Sequence, residues 1–171
     1  MPNKNTFDIP PIRLFVEKYL EKSTVSIDPF ARNKRWATHT NDLNPDTKTD
    51  SHLDVRNFLK YCLKTNGKVD LVIFDPPYST RQMKECYAGI GLKMTYEDTH
   101  EFGHWTESRR LIKTLVKIGG VVLSFGWSTV GMGMKRGFSI EEILLVCHGG
   151  AHNDTICIAE RKTSEQLELF N

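Results

Sequence analysis

No stretch of the 171-residue chain approaches the roughly 18 consecutive apolar residues of a membrane-spanning helix. Met1 to Asp8 is polar and lacks the apolar core of a secretory leader, so a cytoplasmic location is the expectation. The four cysteines, Cys62, Cys86, Cys147 and Cys157, form no CxxC pair, which argues against zinc and for small reduced core residues. His148 and His152 have a ligand-like spacing. Gly149 and Gly150 between them read as a turn, however, and no metal is expected. A strong charge of one sign is also missing. With 23 basic and 21 acidic residues the net charge is +2, so any nucleic-acid contact must come from local patches. Repeats, low-complexity tracts and linkers are absent from residues 8–161, and 39% hydrophobic content suits one globular domain.

What is present reads as strands alternating with helices. Pro10 and Pro11 open a helix whose apolar face is Ile12, Phe15, Val16 and Tyr19. Short strands are predicted over 24–27 and 37–41, a helix over 53–63, and the strongest strand over 71–74. That continuous apolar run fits a parallel strand covered on both faces. A helix is predicted over 81–87 and a loop over 89–103. A second amphipathic helix over 107–117 is expected to end at Gly119 and Gly120, followed by a strand over 121–125. A loop with four glycines fills 126–137, and an antiparallel pair, 143–147 with 155–160, closes the domain. This is an α/β sheet, in which ligands sit at the carboxyl ends of the strands. Asp28, Asp42 and Asp75 stand at three such ends, with Asp54 just beyond the second.

The chemistry centres on Asp75, Pro76, Pro77 and Tyr78, directly after the buried run. The exocyclic amine of a nucleobase is a poor nucleophile because its lone pair is delocalised into the ring. To attack a methyl group it must become tetrahedral, and its hydrogens need acceptors. Asp75 offers one and the Pro76 carbonyl another. The two prolines fix the backbone and so pre-aim both. Tyr78 offers a face for stacking, and a duplex base would have to be flipped out to reach it.

These four residues resemble the DPPY signature of S-adenosylmethionine-dependent DNA adenine methyltransferases, and the similarity runs over residues 24–160. The resemblance implies a Rossmann-like class I methyltransferase fold: α/β, with a mixed, mostly parallel seven-stranded sheet and a C-terminal antiparallel hairpin. It implies S-adenosylmethionine as cofactor. The run from Asp28, Pro29 and Phe30 to Ala31 is similar to the first cofactor motif, Asp42 to the acid that holds the ribose, and Asp54 to the acid that binds the cofactor's adenine amine. Gly119 to Phe125 resembles the segment supporting the active-site floor. One departure is clear: the family follows its Asp-Pro-Phe-Ala string with glycines, and this chain continues Arg32-Asn33-Lys34. Arg32 is the candidate partner of the methionine carboxylate. Asp at the first position of the catalytic motif favours adenine over cytosine. Related sites act on RNA bases or glutamine side chains, and a non-catalytic cofactor-binding subunit is the remaining alternative.

Members of the family often carry a separate recognition domain, for which this chain has no room. DNA contact is therefore assigned to Arg81, Lys84, Trp127, Lys135 and Arg136, from two segments that also hold Lys93, Tyr96, His104 and Trp105. Trp105 and Trp127 are equally suited to packing on the sheet. So small a surface implies a short target site, a homodimer, or a partner that supplies specificity. Residues 1–161 are read as the domain and 162–171 as a flexible tail. The tail's Gln166, Leu167, Leu169 and Phe170 resemble the peptide by which bacterial proteins bind the sliding clamp.

Overall fold

A computed structural model describes residues 6–96, 98, 105–150 and 153–165. A short 3-10 turn, Thr6–Asp8, leads into α1, Pro10–Leu20, with Pro at its first positions and Ile12, Phe15, Val16 and Tyr19 buried. There follow β1 (Ser26–Asp28), β2 (His39–Thr40), α2 (Val55–Thr65), β3 (Val69–Phe74) and α3 (Thr80–Gly89). Then come α4 (Thr106–Leu115), β4 (Val116–Gly126), a second 3-10 turn (Met134–Arg136), β5 (Phe138–Val146) and β6 (Thr155–Lys162). The strand order is β2-β1-β3-β4-β6-β5. The first four positions are parallel, and β6 runs antiparallel to both β4 and β5.

β3 explains why its sequence is continuously apolar. Val72 and Phe74 pack into the core on one face of the sheet, and Leu71 and Ile73 into the core on the other. Residues of α2 and α4 fill the first core and those of α1 the second. The central strand is thus sandwiched between helices, as a parallel strand requires.

Three expectations are corrected. The described residues form six strands, not seven. Residues 42–54 are dominated by Asp, Asn, Thr and Ser, whose side chains bond to nearby backbone in turns, and only a single bridge, Asn41 to Ser51, forms there. The helix over 107–117 stops at Leu115, and Gly119 and Gly120 lie inside β4 rather than capping a helix. Val116 pairs with Val69 and Val121 with Leu71, so β4 carries an irregularity there that has a glycine at φ +81°. A Cβ on Gly120 would sit 2.8 Å from the Val116 side chain and 3.0 Å from the Asp70 carbonyl oxygen, so the close approach demands glycine. Lastly, only Cys62 and Cys157 are core residues. Cys86 on α3 and Cys147 beyond the end of β5 are exposed.

The C-terminal boundary also lies later than the sequence suggested. β6 runs through Lys162, whose ammonium is buried and donates to the Lys113 and Val116 carbonyls at 2.7 and 2.9 Å. Glu165 pairs with it at 2.8 Å. Residues 166–171, with the clamp-like peptide, lie outside the described residues, as do His104 and His152.

Candidate active site

A cleft of about 900 Å³ opens at the carboxyl ends of the parallel strands. Its size falls in the roughly 300–1,000 Å³ range of small-molecule sites. The strand order arranges its walls around Asp75. Residues following β1 and β2 (Pro29, Phe30, Arg32, Asn41, Asp42, Asp54, Arg56) come from one side of β3, and Trp127, Asn153 and Thr155, next to β4 and β6, come from the other. Asp75, Pro76, Pro77 and Tyr78 stand between them.

The motif turn is held from both directions. The Tyr78 hydroxyl donates to Asp75 Oδ1 at 2.6 Å, and the Tyr78 backbone N–H donates to Gln82 Oε1 at 2.7 Å. Ser79 caps α3 by accepting from the Gln82 N–H. Burial pushes the Asp75 carboxyl above the usual carboxylate value, while the hydroxyls of Tyr78 and Thr6 and the charge of Arg32 pull it back. Burial and the Asp75 charge in turn push the Tyr78 phenol up. Thr6 also lines the cleft, although no sequence motif marks it. It is placed there by Phe7, which stacks on Trp36 with centroids 5.5 Å apart, and by the Asp8–Lys34 ion pair at 2.6 Å.

The loop after β1 has the backbone course that glycine would favour, without the glycine. Arg32 takes φ +50°, and its N–H donates to Asp42 Oδ2 at 3.0 Å. Asp42 Oδ1 accepts from the Asn44 N–H at 2.9 Å, so this acid ties two loops together while lining the cleft. Each of its oxygens keeps acceptor capacity for a hydroxyl. Buried Asn41 locks the same region by donating to the Pro29 and Leu53 carbonyls and accepting from the Leu53 N–H and the Ser51 hydroxyl.

Two cofactor candidates have settings their sequence did not reveal. Asp28 is 2% exposed and does not line the cleft. It accepts the Phe30 N–H at 2.9 Å, and burial pushes its carboxyl well above the usual range. Its place is beneath the loop, holding Phe30 in position. Asp54 caps α2 and forms a two-pronged pair with Arg56, at 2.9 and 3.2 Å. Arg56 also reaches Asp98 at 3.1 Å. Burial would raise the Asp98 carboxyl, but bonds from Thr95 and the charge of Arg56 hold it below its ordinary value. Arg56 and Asp98 were missed because their partners lie 42 residues apart.

The proposed nucleic-acid residues divide. Trp127 lines the cleft, is 44% exposed, and meets Tyr78 edge-on with centroids 5.8 Å apart. Trp105 also lines the cleft but is buried, packing against Phe30 and Phe74. Arg81, Lys84, Lys135 and Arg136 do not line the cleft. Arg81 pairs with Glu85 on α3, and Arg136 donates to the Met132 carbonyl.

No protein-family model matches the chain, and no curated protein matches it. Solved structures do. NodS, an N-methyltransferase from Bradyrhizobium japonicum, superposes with a TM-score of 0.55 at 11% identity, over 95% of this chain and 100% of its own. An rRNA methylase from Streptococcus thermophilus gives 0.54 at 9%, over 90% and 97%. NSun6 from Pyrococcus horikoshii, solved with SFG, gives 0.53 at 14%, over 86% of this chain and 50% of its own, so this chain spans about half that protein's length. The fold is the Rossmann-like methyltransferase fold. Within it the cleft lies where the strands of an open α/β sheet present their carboxyl ends, the usual place for a ligand.

Proposed function

We propose that the chain is an S-adenosylmethionine-dependent methyltransferase that modifies the exocyclic N6 amine of a flipped-out adenine in DNA. The observation that carries this reading is the placement of Asp75 to Tyr78 at the end of β3, between a loop-and-acid wall and an aromatic one, in a single cleft. The residues present suit the cofactor: Asp42 for the ribose hydroxyls, Arg32 for the carboxylate, and Leu53, Val55 and Phe30 as apolar lining, with Asp54 and Arg56 beside them. S-adenosylmethionine would supply an electrophilic methyl carbon on a sulfonium. The neighbour solved with SFG supports the choice.

Asp75 and the Pro76 carbonyl accept the two amine hydrogens, which localises the nitrogen lone pair. With S-adenosylmethionine held by Asp42 and Arg32, its methyl carbon would pass to the amine nitrogen and the carbon–sulfur electron pair would stay on sulfur. The nitrogen sheds one proton, and Asp75 is the acceptor at hand. Tyr78 holds the Asp75 carboxylate in place through Oδ1.

RNA is the second reading, favoured by the rRNA methylase among the structural neighbours. Glutamine side chains are a third substrate class that such sites accept. In the partner reading, DNA is the substrate and residues 166–170 bind a sliding clamp. One experiment orders these readings. The protein, and Asp75→Ala beside it, is incubated with labelled S-adenosylmethionine and, in turn, duplex DNA, RNA and protein extract. Label in DNA that is lost in the variant supports the reading; label in RNA or protein reassigns the substrate. Cofactor binding with no transfer to any of them would make the chain a non-catalytic subunit.

A further inference from the structure

The cleft wall beside Trp127 contains a hydrogen-bonded pair that the methyl-transfer chemistry leaves unused. Thr155 opens β6 and is 6% exposed, yet it lines the cleft. Its hydroxyl is 2.8 Å from His148 Nε2. His148 is itself placed by its backbone N–H, which donates to Asp154 Oδ1 at 3.0 Å, and by the pairing of Val146 with Thr155 at the hairpin end.

Register puts this pair on the target side of Asp75. Ile156 pairs with Gly126, so Thr155 lies beside the residue that leads into Trp127. Thr155 and Cys157 share a face of β6, and burial first and the Asp75 charge second push the Cys157 thiol up. β3 separates all of these from Asp42, Asp54 and Arg56, which follow β2. A base stacked near Tyr78 and Trp127, with its amine at Asp75, therefore has Thr155 on the wall around it.

We propose that Thr155, with its hydroxyl oriented by His148, is a specificity-determining residue that contacts the hydrogen-bonding edge of the target base. The proposal rests on the base-methylation reading above and names a group that selects the base. A threonine hydroxyl has one proton to donate and two lone pairs to accept with. If His148 Nε2 accepted, Thr155 would offer only lone pairs, and adenine, its two amine hydrogens held by Asp75 and Pro76, has no N–H to meet them. With Nε2 protonated and donating, the Thr155 hydroxyl proton is left for a ring nitrogen of adenine, and this is the state proposed. A base without an acceptor there leaves the buried hydroxyl proton unpaired, and such a penalty discriminates more sharply than shape.

The test is equilibrium binding of the full chain, by fluorescence anisotropy, to a short single-stranded oligonucleotide with one adenine and to the same strand abasic at that position. The intact chain should prefer the adenine strand. Thr155→Val should lose roughly ten-fold of that preference and Thr155→Ser should keep it. An unchanged preference in Thr155→Val, or no preference in the intact chain, overturns the proposal. Should Thr155→Val not fold, strands bearing 1-, 3- or 7-deazaadenine give the answer with the intact chain and His148→Ala. One deletion should weaken binding to the intact chain and not to the variant; the same losses in both overturn the proposal. Methyl transfer is measured separately with labelled cofactor. Its absence while the preference depends on Thr155 strikes the methylation reading alone.

Discussion

Tyr78 donates its hydroxyl to Asp75 Oδ1 at 2.6 Å, a contact that favours the ionised carboxylate. Burial raises the Asp75 carboxyl above its ordinary 3.8, and the Tyr78 hydroxyl opposes that rise. An acceptor for an amine hydrogen must be ionised, so kcat/KM should climb with pH through an inflection above 3.8. Tyr78→Phe removes a donor to the anion and should move that inflection upward. A pH–rate profile unmoved by the substitution would separate Tyr78 from the ionisation of Asp75.

For folding, the raised carboxyls act in the opposite sense. A group that binds its proton more tightly when folded contributes fully below its unfolded value, near 3.8 for Asp28. That contribution is lost as pH rises through the folded value. Buried Asp28 should therefore weaken the fold at neutral pH, and Asp28→Asn, which still accepts the Phe30 N–H, should be more stable there by at least about 1 kcal/mol. Urea melts at pH 4 and pH 7 check the sign: the gain must be larger at pH 7.

Arg32 combines a strained backbone with a proposed ligand role, and the two are separable. At φ +50° a side chain costs on the order of 1 kcal/mol that glycine avoids. Arg32→Gly should raise the melting temperature by a few degrees while weakening S-adenosylmethionine binding, and Arg32→Ala should weaken binding without that gain. Calorimetry that finds cofactor affinity unchanged in Arg32→Ala would remove Arg32 from the carboxylate role.

The loop that carries Trp127 hangs on a buried acid. Glu160, on β6, accepts the N–H groups of Met132 and Gly133 at 2.5 and 2.8 Å. A Cβ on Gly131 would run into the same carboxylate. Gly131→Ala and Glu160→Ala should each destabilise the chain by about 2–4 kcal/mol and broaden the Trp127 fluorescence response to added oligonucleotide. Unfolding free energies within about 0.5 kcal/mol of the intact chain, the range of neutral surface changes, would show the loop to be held otherwise.

The elements legible in the sequence are those whose cause is local. Residues 71–74 are apolar without interruption and form the sandwiched strand; Pro10, Pro11 and the Ile12–Tyr19 stripe form α1. The Asp-Pro-Pro-Tyr string was legible because its residues are contiguous. Gly119 and Gly120 misled because a glycine pair marks a helix end and a strand irregularity alike, and the choice depends on Asp70 and Val116 across the sheet. Thr6, Arg56, Asp98 and Thr155 were illegible for a similar reason: each is brought to the cleft by a contact between distant residues, and no short spacing records it. Asp28 shows the converse, since a motif position can look like a ligand and lie under the loop instead.

The tail peptide carries the partner proposal. Leu167, Leu169 and Phe170 have the spacing to fill apolar pockets, with Gln166 at the rim. Deleting residues 165–171 should abolish retention of a bacterial sliding clamp in a pull-down while leaving cofactor binding intact. Glu165 is paired with Lys162 and Lys68, so a deletion from 166 serves as the control for fold effects. No retention of the clamp by the intact chain would end the proposal.

The charge lining the cleft predicts which form of the cofactor is held. Asp42, Asp54, Asp75, Glu85 and Asp98 face it against Arg32 and Arg56, so the cavity focuses a negative potential. A sulfonium cation is drawn in, and the neutral thioether left after transfer is not. Each carboxylate some 8 Å away contributes about 0.5 kcal/mol even at the dielectric of water, so the sulfonium should bind several-fold tighter than S-adenosylhomocysteine. Glu85→Gln, which removes one charge at the rim, should narrow that ratio about two-fold, and raising the salt concentration should narrow it further. Calorimetric titration of both compounds at low and high salt decides the matter. Tighter binding of the thioether at low salt would mean that the acids are neutralised by their internal partners and leave no field in the cleft.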